Sequence, residues 1–267
     1  LNGAGTLGTS VRNNLIGTNF IGAGPLPNGD AGIAIFGAVQ SVIGGNDGAS
    51  ANTIAFNAGP GVHVASGQQN SVLGNRITLN GSVGINLGAA GVTPNDAGDA
   101  DSGPNTLQNF PVLSATTSGV RVELNSAPNT IYRLEFFANP ACDASGNGEG
   151  ETFLGGLPAL TGAGGNFVLT AFPAPENQFI TATATDPAGN TSEFSNCQQA
   201  FGDNLPPIAN AGLDQVVSLG SLVQLDGSGS SDPEGAPLTF AWILNTRPAG
   251  SAATLSATNV ANPTFVA

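Results

Sequence analysis

The feature that most constrains the fold of this 267-residue chain is a short phrase that recurs at a fixed spacing near its start. An Asn followed by a spacer and an apolar residue occurs in residues 14–17, 52–57, 70–75 and 75–80. A Gly followed by an alternating triplet occurs in residues 32–35, 61–64 and 84–87. Ile77 follows Ile54 at the same distance along the sequence as Ile85 follows Val62, and we call this distance the short step. Self-similarity at such a period, in the twenties, is typical of solenoids.

The strands within this repeat are short and alternate in polarity with period two. The step from Ile33 to Val62 is longer, so the earlier repeat carries extra residues, which we place at 45–51; we call this the long step. Gly and Asn tolerate the left-handed backbone at corners, and stacked Asn side chains can form hydrogen-bonded ladders. Three strands per repeat predict a right-handed parallel β-helix with stacked Val, Ile and Leu. A disordered Gly/Asn-rich linker is the alternative, but disorder would not keep Ile and Val at matched spacing.

These phrases also carry a family resemblance. Residues 11–110 resemble the last coils of bacterial secreted right-handed β-helix repeat proteins, a resemblance that covers roughly the first 40% of the chain. That family includes pectate lyases and polygalacturonases, but also adhesins and surface proteins without known activity. The resemblance therefore implies a fold and a secreted location, and it leaves the function open.

The repeats offer few residues for catalysis. Polysaccharide lyases and hydrolases need paired carboxylates, or a base together with a cation, on one face. Only Arg12, Asp30, Asp47, His63 and Arg76 are available in this segment. The spacing of Asp30 and Asp47 matches neither the short nor the long step, and His63 alternates with two inward Val and should face outward. We expect no catalytic residues here; any active site would lie in repeats upstream of Leu1.

Charge excludes several partners and divides the chain. There are 18 acidic residues against five Arg, no Lys, and a net charge of −13. This balance argues against nucleic-acid binding and against docking on anionic lipid, and no apolar run is long enough for membrane insertion. Residues 1–90 are neutral overall, whereas 91–200 hold eleven acids against two Arg and 201–267 hold five against one. These steps in charge indicate separate modules, and the opening in mid-pattern indicates a piece of a longer protein.

The acidic loop at 95–105 is the sharpest motif. Asp96, Asp99 and Asp101 are interleaved with Gly and small residues, a pattern of hard oxygen ligands that suits Ca²⁺. The loop resembles calcium loops of the thrombospondin type 3 and dockerin kind, although it lacks the Glu of an EF-hand. The alternative is a solvated acidic turn that caps the solenoid. We expect 107–113 to lay an apolar strand over the last repeat and complete a first domain at 1–112.

A second domain is predicted at 113–203. Alternating segments separated by turns favour an antiparallel β-sandwich, and phrases at 142–150 and 183–195 resemble an Ig-like module that follows such β-helices. Cys142 and Cys197 are the only cysteines. Their even number, in a chain without cytosolic signatures, favours a disulfide over two unlinked thiols. In the turn at 186–190, Asp and Pro would start the chain reversal.

A third domain is predicted at 204–267, from phrases at 207–212, 223–235 and 240–242. These phrases strongly resemble a polycystic-kidney-disease (PKD) domain, an extracellular Ig-like sandwich. The resemblance places Trp242 in the core, while Asp226 and Asp232 should fix turns. The sequence stops before the last strands of that family. Either sequence is missing, or another chain supplies a strand by β-augmentation.

The fold expected is therefore all-β: a parallel β-helix followed by two Ig-like β-sandwich modules, the last incomplete. The favoured function is a non-catalytic bacterial extracellular or cell-surface stalk or adhesin, stiffened by Ca²⁺ and a disulfide. Its partners would be a glycan or protein surface ligand, or neighbouring copies of itself. One alternative is the accessory C-terminal part of a secreted polysaccharide lyase or glycoside hydrolase. Another is a filament subunit that assembles through open strand edges.

Overall fold

The computed structural model describes residues 1–3, 5–201, 206–233 and 235–267, and these residues form an all-β chain. The predicted fold class is thus confirmed at the level of strand content. The chain divides into two compact units, Leu1–Asp203 and Asn204–Ala267. In the described part of the chain, no helix has the length and apolar character needed to cross a bilayer.

The first unit begins with nine short strands. They are β1 (Ser10–Val11), β2 (Leu15–Ile16), β3 (Ile33–Phe36), β4 (Val42–Gly44), β5 (Thr53–Ala55), β6 (Val62–Ser66), β7 (Ser71–Leu73), β8 (Arg76–Thr78) and β9 (Ile85–Leu87). They form three parallel three-stranded sheets, in the orders β1-β4-β7, β2-β5-β8 and β3-β6-β9. Each sheet therefore takes one strand from each of three successive repeats.

The register of these sheets follows the sequence repeat. Ile54 is paired with Ile77 and Val62 with Ile85, as the short step predicts. The long step relates β4 to its partner β7, whereas the short step relates β5 to its partner β8. The extra residues therefore lie between β4 and β5, where the sequence placed them, at 45–51.

The inward side chains of the three sheets form one apolar core, which contains Ile33, Ile35, Ile43, Ile54, Val62, Val64, Val72, Ile77, Ile85 and Leu87. Corners between strands repeat their backbone conformation at matched positions. Phe56 and Leu79, one short step apart, both adopt positive φ, at 62° and 58°. Gly44 also has positive φ, and a Cβ there would collide with the Leu73 carbonyl. Corners therefore use Phe and Leu as well as the Gly and Asn expected from the sequence.

The remainder of this unit is antiparallel. Its strands are β10 (Val112–Thr116), β11 (Gly119–Asn125), β12 (Ile131–Asn139), β13 (Thr152–Leu160), β14 (Asn166–Phe172), β15 (Phe179–Thr185) and β16 (Gln198–Gln199). They form two sheets, β10-β11-β14 and β13-β12-β15-β16. Both sheets contribute to one core, in which Val122 of β11 and Leu134 of β12 are fully buried.

Cys142 and Cys197 form the predicted disulfide, with their Cα atoms 5.8 Å apart. Cys142 follows β12, and Cys197 immediately precedes β16. The two cysteines are 55 residues apart in the sequence, and the segment between them contains β13, β14 and β15.

The end of the parallel sheets is covered differently from the expectation. A 3₁₀ turn, Pro104–Leu107, replaces the start of the predicted strand at 107–113, and β10 pairs with β11 instead of lying along the last repeat. Gly150 forms an antiparallel bridge with Ile77 of β8. Phe137 and Phe194 enter the core of the parallel sheets, where Leu107 packs only in part. The cover is shared, since Asn105 of the turn is hydrogen-bonded to Gly67 and Asn70 while the two aromatic side chains extend the apolar core.

The second unit contains two strands within its described residues, β17 (Leu222–Gln224) and β18 (Thr264–Val266), paired antiparallel. Asp226 accepts a hydrogen bond from the Ser228 amide, and Asp232 accepts one from the Ala236 amide, so both fix turns as predicted. Trp242 is only half-buried, and its indole N–H donates to the Val260 carbonyl at 2.8 Å. The expectation of a core Trp is wrong in this respect, since few strands enclose the indole.

Candidate functional site

The three aspartates predicted as metal ligands do lie together. Asp96, Asp99 and Asp101 each offer a carboxylate oxygen, and these atoms are within 4.8 Å of one another. Asp99 has a positive φ of 60°, which curves the loop tightly enough to bring the side chains to one side. Three carboxylate oxygens at this spacing are chemically suited to a divalent cation that prefers oxygen ligands.

Asp99 also has a second role, which the sequence did not reveal. Its carboxylate accepts hydrogen bonds from the Gln108 amide at 2.7 Å, from the Asn109 backbone N–H at 3.1 Å, and from the Ser126 hydroxyl. Burial raises the pKa of Asp99, and the neighbouring negative charges add to that rise, while the hydrogen bonds oppose it. The carboxylate thus ties the acidic loop to the turn after β11, and fewer of its lone pairs are free for a cation.

The other two aspartates are less committed. The Asp96 carboxylate accepts from the Ala100 N–H at 3.1 Å, while its own N–H donates to the Asn109 side chain. Asp101 is exposed, and desolvation followed by the charge of Asp96 raises its pKa. Asp96 and Asp101 are therefore the better available ligands, and Asp99 is the anchor that positions them.

The polar residues of the repeats lie at separate places. His63 is half-buried, and its Nε2 lies 2.9 Å from the Gly88 carbonyl. Arg76 forms an ion pair with Glu151 at 2.8 Å. Asp47 accepts from the Ser50 N–H within the β4–β5 loop, whereas Asp30 precedes β3. Among the described residues, the contacts of these side chains do not assemble the carboxylate pair that glycoside hydrolysis requires.

Sequence reasoning missed a set of three glutamates, which we call the junction glutamates: Glu135, Glu149 and Glu193. All three are buried, with exposed fractions of 0%, 8% and 3%. Glu135 lies on β12, Glu149 precedes β13, and Glu193 follows β15. Each accepts hydrogen bonds from the last repeat of the parallel sheets. Their hydrogen-bond partners include backbone N–H groups, the Asn80 side-chain amide and the Arg133 guanidinium.

Burial strongly affects the titration of the junction glutamates. It raises the pKa of Glu149 to about 6 and that of Glu193 to about 7, although N–H donors from the last repeat oppose both shifts. Burial also raises the pKa of Glu135, against the hydrogen bond from Gly74 and the charge of Arg133. In each case desolvation is the largest influence, because the carboxylates lie between two packed layers.

Nothing in the sequence marks these residues. Glu135 stands within the alternating Arg133–Phe137 segment and resembles an outward polar position of a strand. Glu149 and Glu193 stand in turn-rich phrases beside Gly, Ser and Thr. The only available signal was their place in the acidic 91–200 region, which otherwise suggests solvent exposure.

No family model matches the sequence. One relative is the 3-dehydroshikimate dehydratase of Acinetobacter baylyi, which is 33% identical over 92 residues. The match covers 34% of this chain and 18% of that protein, so the chain corresponds to a small part of its relative.

Proposed function

We propose that this chain is a non-catalytic structural or adhesion segment of a bacterial extracellular or cell-surface protein. In this proposal residues 1–112 are the end of a right-handed parallel β-helix, 113–203 an Ig-like β-sandwich, and 204–267 a PKD-like module. The observation that carries the proposal is the in-register parallel pairing of all three sheets, in which Ile54 stacks on Ile77 and Val62 on Ile85.

The physical argument is one of rigidity. In each parallel sheet the strands of successive repeats pair with one another, and the inward side chains fill a continuous core, so neighbouring repeats cannot shift independently. The Cys142–Cys197 disulfide restrains the adjoining antiparallel sheets, and disulfides persist in oxidising compartments outside the cytosol. A stiff scaffold of this kind suits the presentation of a binding surface to a glycan or a protein.

Binding and turnover measurements on the same purified chain test this role. We expect retention on a subset of glycans or on a cell-surface protein, without depolymerisation of any polysaccharide. Release of oligosaccharide from a polysaccharide panel by residues 1–267 would contradict the proposal.

A filament assembled through open strand edges is a variant of this role, in which the binding partner is a second copy of the chain. Electron micrographs with dispersed particles alone would argue against that variant.

A second candidate function is supported by the relative named above. About a third of this chain matches that enzyme. The chain would then be an accessory or partial segment of a longer secreted enzyme, such as a polysaccharide lyase, a glycoside hydrolase or a dehydratase. Incubation with 3-dehydroshikimate, beside a His63→Ala variant, tests the last possibility directly. Consumption of the compound by the native chain alone would favour the enzyme and overturn the non-catalytic role.

We further propose that Asp96, Asp99 and Asp101 bind Ca²⁺ and stiffen the loop that precedes the antiparallel sheets. The support is the proximity of their oxygens. Added Ca²⁺ should raise the melting temperature by mass action. Asp101→Asn should remove that rise while leaving the Asp99 anchor in place, and Glu123→Gln, at an exposed position of β11, is the matched control. An identical melting curve of the native chain with Ca²⁺ and with chelator would rule the site out.

A further inference from the structure

The Asn ladders along the parallel sheets have a direction. Asn28 donates from its side chain to Asn57, at 2.8 Å. Asn57 then donates both its backbone N–H and its side-chain amide to the Oδ1 atom of Asn80, at 3.2 and 2.8 Å. A second ladder runs the same way from Asn14 to Asn52, and Asn52 donates twice to the next Asn. Each rung therefore accepts from the repeat before it and donates to the repeat after it.

This direction leaves donors without acceptors at the last repeat. The N–H and side-chain amide of Asn80 point to where a further Asn would stand. Glu149 occupies that place, and its Oε1 atom accepts both hydrogen bonds, at 3.1 and 2.9 Å. The side-chain amide of Asn80 also donates to the Ile54 carbonyl, at 3.1 Å. The buried backbone N–H depends on Glu149, and leaving it unsatisfied would cost roughly 1–3 kcal/mol.

At other places in the last repeat, carboxylates accept from backbone N–H groups that belong to no Asn ladder. Glu135 accepts from the Gly74 N–H at 2.8 Å. Glu193 accepts with both oxygens, from the N–H groups of Leu87 and Thr93, each at 2.8 Å. The three carboxylates come from three separate places in the 113–203 segment, and all of them converge on donors of one repeat.

The ladder through Asn70 is received by another Asn, Asn105 of the 95–105 loop, at 3.0 Å. The ladder through Asn80 ends on a carboxylate, and its chemistry differs from that of an Asn. An Asn side chain accepts and also donates, so it passes the ladder on to a following rung. An ionised carboxylate only accepts, so the ladder cannot continue beyond it. Its negative charge also strengthens the hydrogen bonds from the last repeat. Stacked parallel strands without such an end would expose an edge that can recruit further strands.

We propose that residues 113–201 are the end cap of the repeat stack. In this cap Glu149 terminates the Asn ladder through Asn80, and Glu135 and Glu193 satisfy backbone N–H groups of the last repeat. Apolar contacts complete the cap, since Phe137 and Phe194 pack into the core of the parallel sheets beside Ile77. The inference rests on the hydrogen bonds themselves and does not depend on the extracellular role proposed above.

Residue-resolved hydrogen exchange of the full chain tests the cap, at pH 8, where Glu149 with its pKa of about 6 is ionised. In Glu149→Ala the ratio of the Asn80 N–H exchange rate to that of Asn52 should rise at least tenfold, because Asn80 loses its acceptor while Asn52 keeps Asn75. Glu151→Ala is the matched control. Glu151 lies two residues away and pairs with the Arg76 side chain, so its removal should leave the ratio unchanged.

An unchanged ratio in Glu149→Ala would overturn the proposal, even if the variant is generally less stable, because global destabilisation accelerates both amides alike. If Glu149→Ala does not fold, Glu149→Gln decides by the same ratio. Loss of the charge weakens the terminal hydrogen bonds, so we expect about a threefold rise, and a native ratio would overturn the cap. The proposal also requires Glu193→Ala to accelerate Leu87 and Thr93 in the same selective manner.

Discussion

The two halves of the Leu1–Asp203 unit, residues 1–90 and 91–200, differ in the side chains that satisfy their buried hydrogen-bonding groups. Residues 1–90 are electrically neutral overall, and each repeat provides donors and acceptors for the next through Asn side chains. Residues 91–200 carry eleven acids, and three of those are buried against the last repeat. A stack of equivalent rungs is self-complementary along its length, but the buried donors of its last rung need acceptors from elsewhere. The acidic half supplies them, from Asn105 and the three buried glutamates.

The comparison also predicts that the halves depend on one another. The core of the parallel sheets contains Phe137 and Phe194 from the antiparallel half. The hydrogen bonds of the junction glutamates cross the same boundary. We therefore expect one cooperative unfolding transition for both halves, and the following changes test this expectation in order of decreasing effect.

Removal of the disulfide should have the largest effect. In a Cys142→Ser/Cys197→Ser variant the unfolded chain is no longer constrained across 55 residues, which should lower the free energy of unfolding by about 4 kcal/mol. Denaturant titration followed by circular dichroism measures the loss. A change of less than about 1 kcal/mol would contradict the expected contribution of the disulfide. A second transition from the parallel half alone would contradict cooperative unfolding.

Truncation of one core side chain in each half should come next. Ile77 and Phe136 are at most 1% exposed, so Ile77→Ala and Phe136→Ala should each reduce the free energy of unfolding by about 3 kcal/mol. Both variants should still melt in a single transition. Leu79→Ala, at a position 58% exposed, is the control and should change stability by roughly 0.5 kcal/mol or less. Separate transitions would show that the halves are independent.

Stability should fall as pH rises from about 4.5 to about 7. The pKa of Glu149 is raised to about 6 and that of Glu193 to about 7, so the folded protein binds more protons than the unfolded chain in this range. Each shift corresponds to a change on the order of 2 kcal/mol. The melting temperature should therefore be higher at pH 5 than at pH 8, and Glu193→Gln should flatten this dependence. A higher melting temperature at pH 8 would contradict the sign.

Surface ion pairs should have the smallest effect. Arg121 and Glu123 are both exposed, so Arg121→Ala should change the free energy of unfolding by less than about 1 kcal/mol. Arg76 pairs with Glu151 across the boundary between the halves, with both side chains about one-third exposed. Arg76→Ala should cost somewhat more in low salt, and the difference should vanish in high salt. Equal salt-independent losses would indicate that packing, not charge, holds these residues.

Much of the first half could be predicted from the sequence. The short step identified the pairing of Ile54 with Ile77, and the long step located the extra residues at 45–51. Repetition makes this possible, since equivalent residues in successive repeats must occupy equivalent positions. The proximity of Asp96, Asp99 and Asp101 was also predictable, because the three lie within one short loop.

The sequence by itself thus determined the contacts that are local or periodic: the strand register, the acidic loop and the pairing of the only two cysteines. Tertiary structure alone decided which acids are buried. Glu135 and Glu149 have ordinary sequence surroundings, and they became buried acceptors only because the antiparallel half packs on the last repeat. Trp242 is the opposite case: the sequence placed it in a core, but in the structure it is only half-buried. Burial is a property of the whole packed chain, so a pattern of a few residues does not specify it.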